Sequence, residues 1–266
     1  MKLYHTIDEK IHQICQIIAK VNRSLVPKQE DDSHTNLYFE STEKRIYGRW
    51  FQQNDKNYIL ALNLADFSFL LLADTKEIVK QFHIEGKTLI EIEEDIEKSF
   101  NTLQFSTEGL MKKLHFEISS YTFIDSIWEK PEIIELNTWV EYRSIANETC
   151  VLLLGIAQAK SEVRIWPHHF DTGIYFKAKK GLGIGFGLAM QDDMANDSYF
   201  YISAYPENYN IQYNNLPIKG NWKWEINENW KGAILPLKEL DGKSYKEKIN
   251  QLSDFITTTY NWIIKQ

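Results

Sequence analysis

Residues 163–176 have the sequence V-R-I-W-P-H-H-F-D-T-G-I-Y-F. The apolar residues on either side of Pro167 predict an extended segment that is interrupted at the proline. Between Trp166 and Asp171 the segment carries an indole, two imidazoles and a carboxylate within six residues. A strand that only fills a core does not need this composition. The segment therefore marks both the entry into a sheet and the first candidate for a functional site.

Long segments with a helical apolar stripe lie on both sides of this stretch. Apolar residues recur at three- and four-residue steps and predict helices over residues 8–25, 88–103, 135–160 and 243–265. Short aliphatic and aromatic runs bounded by polar turn residues predict strands. The predicted strands are residues 37–40, 46–52, 58–65, 67–73, 78–84 and 110–118 in the first half, and 163–176, 181–190, 199–205, 222–226 and 232–237 in the second.

Each half of the chain has the same order of elements, a helix, a set of strands and a second helix. Because short turns join the strands, we expect antiparallel pairing. We therefore predict an α+β fold of two similar helix–antiparallel sheet–helix halves, about residues 1–118 and 132–266. A half of this size has a small core of its own, so we expect the halves to pack as one compact domain, residues 1–266.

Composition excludes several classes of partner. The formal net charge is −7 and no long lysine or arginine run occurs, which argues against nucleic acid and against a membrane surface. The first residues lack the apolar run of a signal peptide. Cys15 and Cys150 lie on the apolar faces of predicted helices, which predicts two buried, reduced thiols. We therefore expect a cytoplasmic protein.

His169 and Asp171 are the candidate catalytic pair. In an extended chain, residues two apart share a face at about 6–7 Å. An imidazole and a carboxylate at that spacing can hydrogen-bond, share a metal, or act as a base and its orienter. The alternative is that Asp171 caps a turn and the imidazoles pack on aromatic rings. No paired-cysteine or H-x-x-x-H signature supplies further ligands, so no metal site is predicted, and no cofactor is indicated.

Aromatic residues of the second half indicate a binding site. The sequence Y-F-Y-I-S-A-Y-P-E at residues 199–207 places alternate tyrosines on one face of a strand. Aromatic rings with a few convergent polar groups are typical of small-molecule pockets and sugar platforms, and also of aromatic-rich cores. The candidate ligand-binding residues are Trp166, His168, Tyr205, Glu207 and Trp230.

Four glycines alternate with apolar residues from Gly181 to Gly187. The strict two-residue spacing, with no helix following, differs from that of a phosphate-binding glycine loop. On a strand, this spacing leaves one face of the sheet without side chains. Two explanations remain open, close approach of a helix or another backbone, and a flat floor under a ligand ring.

The chain resembles a family of uncharacterised bacterial proteins classified as a domain of unknown function. The resemblance lies in W-P-H-H-F-D at residues 166–171, Y-I-S-A-Y-P-E at 201–207 and N-W-K-G-A-I-L-P-L at 229–237. Members carry a comparable F-D segment, a Y-x-Y-P-E segment and a later L-P strand. The resemblance implies a single domain and a bacterial source, and it brings no assigned activity.

Two functions follow from these residues. The first is the binding of a small molecule in an aromatic-lined pocket near residues 166–171, either without chemistry or as an enzyme using His169 and Asp171. The alternative is a non-catalytic protein–protein interaction module with an exposed aromatic surface. A concave arrangement of Trp166, Tyr205 and Trp230 favours the first function, and a flat exposed patch favours the second.

Overall fold

The computed structural model describes residues 2–266. Helices and two six-stranded antiparallel sheets give an α+β fold in two similar halves, as predicted. Contacts divide the chain into two units. The N-terminal unit comprises residues 6–140 and 165–170, and the C-terminal unit comprises residues 2–5, 141–164 and 171–266. The packing of the halves as one compact domain stays a prediction.

The first half contains two helices and six strands. They are α1 (Lys2–Leu25), β1 (Tyr38–Glu40), β2 (Arg45–Tyr47), β3 (Phe51–Gln53), β4 (Lys56–Asn63), β5 (Ser68–Ala73), β6 (Ile78–His83) and α2 (Leu89–Thr102). The sheet has the order β1-β2-β4-β5-β6, and β3 pairs with β4. Asn54 and Asp55 connect β3 to β4 with φ of 50° and 62°, the left-handed pair that a tight hairpin requires.

Local sequence signals set the ends of the helices. Thr88 and Glu91 form the predicted capping box at the start of α2. The first helix begins at Lys2 rather than residue 8, because Tyr4 and Ile7 extend the buried stripe by one and a half turns. Buried Asn22 then fixes the loop after α1, since its amide donates to the carbonyls of Thr35 and Asn36.

The predicted strand at residues 110–118 is wrong. This stretch lies in an irregular segment between α2 and the next helix. Arg23 binds backbone carbonyls here in place of a neighbouring strand, because it donates to Lys113 O at 2.6 Å and to O of the preceding Gly109 at 2.5 Å. A strand needs those carbonyls for a neighbouring strand.

The second half repeats the order of elements. It consists of α3 (Ile133–Ala157), β7 (Arg164–Ile165), β8 (Thr172–Lys179), β9 (Leu182–Ala189), β10 (Tyr199–Pro206), β11 (Lys223–Ile226), β12 (Lys231–Pro236) and α4 (Tyr245–Ile263). The sheet order is β11-β12-β10-β9-β8-β7. Ser244 and Glu247 form a capping box that starts α4.

The two faces of the second sheet differ in composition. One face is apolar and buries Phe176, Phe186 and Phe200. Helix α4 packs on this face, with the rings of Tyr260 and Phe176 6.5 Å apart. The opposite face carries the alternate positions of β8, β9 and β10, where the glycines and tyrosines lie.

The cysteines and the lengths and polarity of the helices can be compared with the expectations from the sequence. Cys15 and Cys150 are free thiols with no exposed surface, as predicted. Across residues 2–266, every helix is too short or too polar to cross a membrane.

Candidate functional site

The segment W-P-H-H-F-D forms a turn between β7 and β8. Residues 167–169 have turn geometry, and the Phe170 amide donates to Trp166 O at 2.6 Å. Phe170 is fully buried and has φ of 54°. Left-handed backbone is a genuine outlier for a bulky side chain and costs on the order of 1–3 kcal/mol. The turn therefore persists only because its surroundings hold it.

In the N-terminal unit, α1 provides the groups that hold this turn. The Pro167 carbonyl accepts hydrogen bonds from His12 Nε2 at 2.9 Å and from Gln16 Nε2 at 2.8 Å. The His12 ring also stacks on Phe170, with centroids 4.9 Å apart. Two buried side-chain donors therefore converge on one backbone carbonyl, which is an acceptor that must be paired when it is buried. The apex of the turn is thereby anchored to one helix.

The two hydrogen bonds of the His12 ring define its tautomer. The Tyr121 hydroxyl lies 2.7 Å from His12 Nδ1, while His12 Nε2 faces the Pro167 carbonyl. The carbonyl only accepts, so Nε2 carries the proton and neutral Nδ1 accepts from the tyrosine. Burial, with added contributions from Glu9 and Asp8, raises the pKa of Tyr121 and keeps this hydroxyl a donor.

The predicted residues Trp166, His168 and His169 all lie in the N-terminal unit. His169 is exposed, and its ring is 4.3 Å from that of half-buried His168. The alternation that placed His169 and Asp171 on one face applies to extended backbone, and residues 167–170 are not extended. That geometric basis for the pair is absent, and the catalytic role of His169 and Asp171 stays a prediction.

In the C-terminal unit, Asp171 accepts a hydrogen bond from a tyrosine. Tyr201 Oη lies 2.6 Å from Asp171 Oδ2. Burial and the negative charge of Asp171 raise the pKa of Tyr201 well above its usual value. Burial, and then Asp171, also raise the pKa of the Cys150 thiol. Both groups are therefore neutral at physiological pH, and Cys150 is no thiolate nucleophile.

The alternate glycines of β9 form the centre of a bare sheet face, which we call the glycine face. It also includes Gly173 on β8 and Gly232 on β12. At Gly187 an added Cβ would lie 2.5 Å from the backbone oxygen of Thr172. The expected close approach of another backbone therefore explains this position.

Aromatic rings cover Gly183, Gly185 and Gly232, whereas Gly173 faces the Phe186 carbonyl oxygen of the neighbouring strand. A Cβ on Gly183 would collide with the Tyr175 ring, and one on Gly185 would lie 3.1 Å from the Tyr205 ring. A Cβ on Gly232 would lie 2.5 Å from the Trp230 ring and equally close to the Ile202 carbonyl oxygen. We call Tyr175, Tyr205 and Trp230 the aromatic platform. Each ring of the platform rests on glycine backbone, which restricts its motion and leaves its outer side towards solvent.

The platform is open and has a charged edge. Tyr175 is 47% exposed and Tyr205 is 45% exposed, with ring centroids 5.8 Å apart and planes at 62°. Lys177 Nζ lies 2.9 Å from Glu207 Oε1 beside the two rings. The hydrogen bond to Glu207 raises the pKa of Lys177, and burial raises the pKa of Tyr205. Lys177 is therefore a cation and Tyr205 a neutral phenol at neutral pH.

The structure places the predicted ligand-binding residues in two groups. Tyr205, Glu207 and Trp230 belong to the C-terminal unit and follow the alternation of the glycine face, whereas Trp166 and His168 belong to the N-terminal unit. Tyr175 and Lys177 were missed by the sequence analysis. The signal that identifies them is the register of β8 on β9, which sets Tyr175 opposite Gly185 and Lys177 opposite Gly183.

Neither metal-site geometry nor comparison with other proteins assigns a function. Over the described residues, 2–266, no three or more histidine, cysteine, aspartate or glutamate side chains are grouped so as to hold a metal ion. No family model, curated protein or solved structure matches the chain. The geometry of the site is therefore the basis for assigning a function.

Proposed function

We propose that the C-terminal unit binds a small molecule on the aromatic platform. The observation that carries this proposal is that three rings lie on glycine backbone while Tyr175 and Tyr205 stay about half exposed. Rings that only filled a core would be buried on both sides. Rings fixed before binding lose little conformational freedom when a ligand stacks on them, which favours affinity.

The polar groups around the platform support ligand orientation. Lys177 and Glu207 lie at its edge, and Ser203 is held beneath it by a hydrogen bond to Lys231 O at 2.6 Å. Small-molecule sites combine apolar and aromatic surface with a few placed polar groups. The proposal concerns binding alone, because the neutral Cys150 and Tyr201 supply no activated nucleophile.

A saturation-transfer NMR screen of a small-molecule library tests this proposal. We expect at least one compound to bind wild-type protein and to lose binding in Tyr175→Ala and Tyr205→Ala. The control is Tyr245→Ala, because Tyr245 is 44% exposed on α4, which packs on the opposite face of the sheet. A library with no binder, or binders that are indifferent to Tyr205, would contradict the proposal.

A protein–protein interaction module is the second candidate. An exposed ring follows the platform along the chain, since Tyr209, two residues after Glu207, is 37% exposed. Contiguous apolar surface marks many protein interaction sites. Under this alternative the small-molecule screen yields no Tyr205-dependent binder, and substitution of Tyr205 by Glu abolishes the association with a protein partner while Tyr245→Ala preserves it.

We also propose a cytoplasmic location and membership of the bacterial family that the sequence resembles. Two free, fully buried thiols support the location, because an oxidising compartment favours disulfides. Reporter fusions in the source cell test the location, with periplasmic or secreted signal as the contrary result.

A further inference from the structure

The strands on either side of β9 present matching pairs of residues. On β8, Tyr175 is followed two residues later by Lys177, and on β10, Tyr205 is followed two residues later by Glu207. Both pairs point to the glycine face, because residues two apart on a strand share a side. Gly183 lies between them in the ladder, opposite Lys177 on one side and Tyr205 on the other.

This arrangement joins a stacking surface to a donor and an acceptor. The rings of Tyr175 and Tyr205 provide apolar faces, and beside them Lys177 Nζ and Glu207 Oε1 are 2.9 Å apart across the bare strand. The lysine side chain is 70% exposed and the glutamate side chain 45% exposed. Such an exposed ion pair contributes little to stability and opens readily, so both groups are available to a ligand.

The charges at the edge decide what kind of ligand fits. Lysine only donates hydrogen bonds and an ionised glutamate only accepts them. A cationic ligand is attracted by Glu207 and repelled by Lys177, whereas an anionic ligand is attracted by Lys177 and repelled by Glu207. Neighbouring hydroxyl groups carry no charge, and each can both accept and donate, so one hydroxyl satisfies Lys177 while the next satisfies Glu207.

We infer that the ligand is a neutral sugar ring with adjacent hydroxyl groups. Its C–H face stacks on Tyr205, Tyr175 contacts its edge because the two ring planes are 62° apart, and two of its hydroxyls bind Lys177 and Glu207. The inference rests on the proposed function, since it names the chemical class of the molecule that binds at the aromatic platform. Polar edges beside an aromatic floor match a ring that is apolar on its faces and polar around its rim.

NMR titration with matched probes tests the class of ligand. The neutral probes are the methyl glycosides of glucose, galactose and mannose. The charged probes are glucuronic acid and glucosamine, and cyclohexanol against trans-1,2-cyclohexanediol isolates the adjacent hydroxyls. We expect a neutral glycoside to bind, and the diol to bind more tightly than the alcohol. Tyr205→Ala should weaken glycoside binding about tenfold or more, and Tyr245→Ala should leave it unchanged.

Variants of the charged pair separate this inference from the proposed function. Lys177→Met and Glu207→Gln should each weaken the neutral glycoside by about threefold or more, with the thermal unfolding midpoint unchanged. If these two variants bind the neutral glycoside as tightly as the wild type, the sugar assignment is wrong while the proposed function stands. The same holds if Tyr205-dependent binding is confined to charged or non-hydroxylated compounds. If no probe and no library compound binds in a Tyr205-dependent way, both are wrong.

Discussion

The Phe170 ring stacks on the His12 ring, with centroids 4.9 Å apart and planes at 23°. The two residues are far apart in sequence, one on α1 and the other at the end of the P-H-H turn. The contact buries a phenylalanine whose backbone is left-handed. Favourable packing of the ring offsets the unfavourable backbone, which explains how this turn is maintained.

Glycine at position 170 should be less harmful than alanine. Both substitutions remove the buried ring and should destabilise the protein by about 3–5 kcal/mol. Alanine also retains the left-handed strain of about 1–2 kcal/mol, which glycine does not have. We therefore expect Phe170→Gly to be more stable than Phe170→Ala by about 1 kcal/mol in urea unfolding. Equal stability, or the reverse order, would show that the backbone at residue 170 is unstrained.

The two donors on the Pro167 carbonyl should be coupled. Loss of either His12 or Gln16 leaves the carbonyl with one donor, so each single substitution to alanine removes one bond to Pro167 O, about 1 kcal/mol, along with the other contacts of that side chain, to Tyr121 for His12 and to the His12 carbonyl for Gln16. The double substitution leaves a buried carbonyl without either donor. A double-mutant cycle in urea should therefore show a coupling free energy of about 1 kcal/mol or more. Strictly additive losses would contradict the shared acceptor.

Alanine scanning of the glycine face should distinguish backbone contacts from ring contacts. At Gly187 the added Cβ meets Thr172 O and the Gly173 backbone, so the strands must separate, and we expect a loss of about 2 kcal/mol or more. At Gly183 it meets only the end of the half-exposed Tyr175 side chain, which can move. Gly183→Ala should therefore cost about 1 kcal/mol or less. Similar thermal unfolding midpoints for the two variants would count against this assignment.

Tyr201 should contribute to loss of stability in alkali. Its pKa is raised in the folded protein by burial and by Asp171. As the pH rises, the Tyr201 hydroxyl therefore loses its proton at a lower pH in the unfolded chain than in the folded protein. The stabilisation from Tyr201 is then complete below about pH 10, the ordinary tyrosine pKa, and declines as pH rises above it. Urea unfolding should show a shallower decline above pH 10 for Tyr201→Phe, by up to about 1.4 kcal/mol per pH unit. If the free energy of unfolding declined equally steeply above pH 10 in Tyr201→Phe and in the wild type, Tyr201 would not contribute to the loss of stability in alkali.

Elements with local signals were predictable from the sequence. The α+β class and the capping box at Thr88 follow from periodicity and capping chemistry, which depend on residues only a few positions apart. The false strand at residues 110–118 depends on Arg23, more than eighty residues earlier, whose side chain takes the backbone carbonyls. No local pattern contains that information.

In the candidate site, too, some residues were predictable from local pattern and others depend on contacts between distant segments. Alternation along one strand was enough to select Tyr205 and Glu207, whereas Tyr175 and Lys177 become part of the platform through the register of β8 against β9. Left-handed backbone at Phe170 was also beyond sequence reasoning, because phenylalanine rarely adopts it. The predicted spacing of His169 and Asp171 relied on an extended chain through that residue.

The proposed function requires that a ligand binds on the tyrosines of the glycine face. The most direct measurement is a titration of protein labelled with ring-¹³C tyrosine, with the signals of Tyr175, Tyr205 and Tyr245 assigned from single Tyr→Phe variants. On addition of a neutral methyl glycoside, we expect saturable shifts of the Tyr175 and Tyr205 signals with one common dissociation constant and no shift of the Tyr245 signal. Unchanged Tyr175 and Tyr205 signals with the glycosides and with the wider compound library would contradict the proposed function.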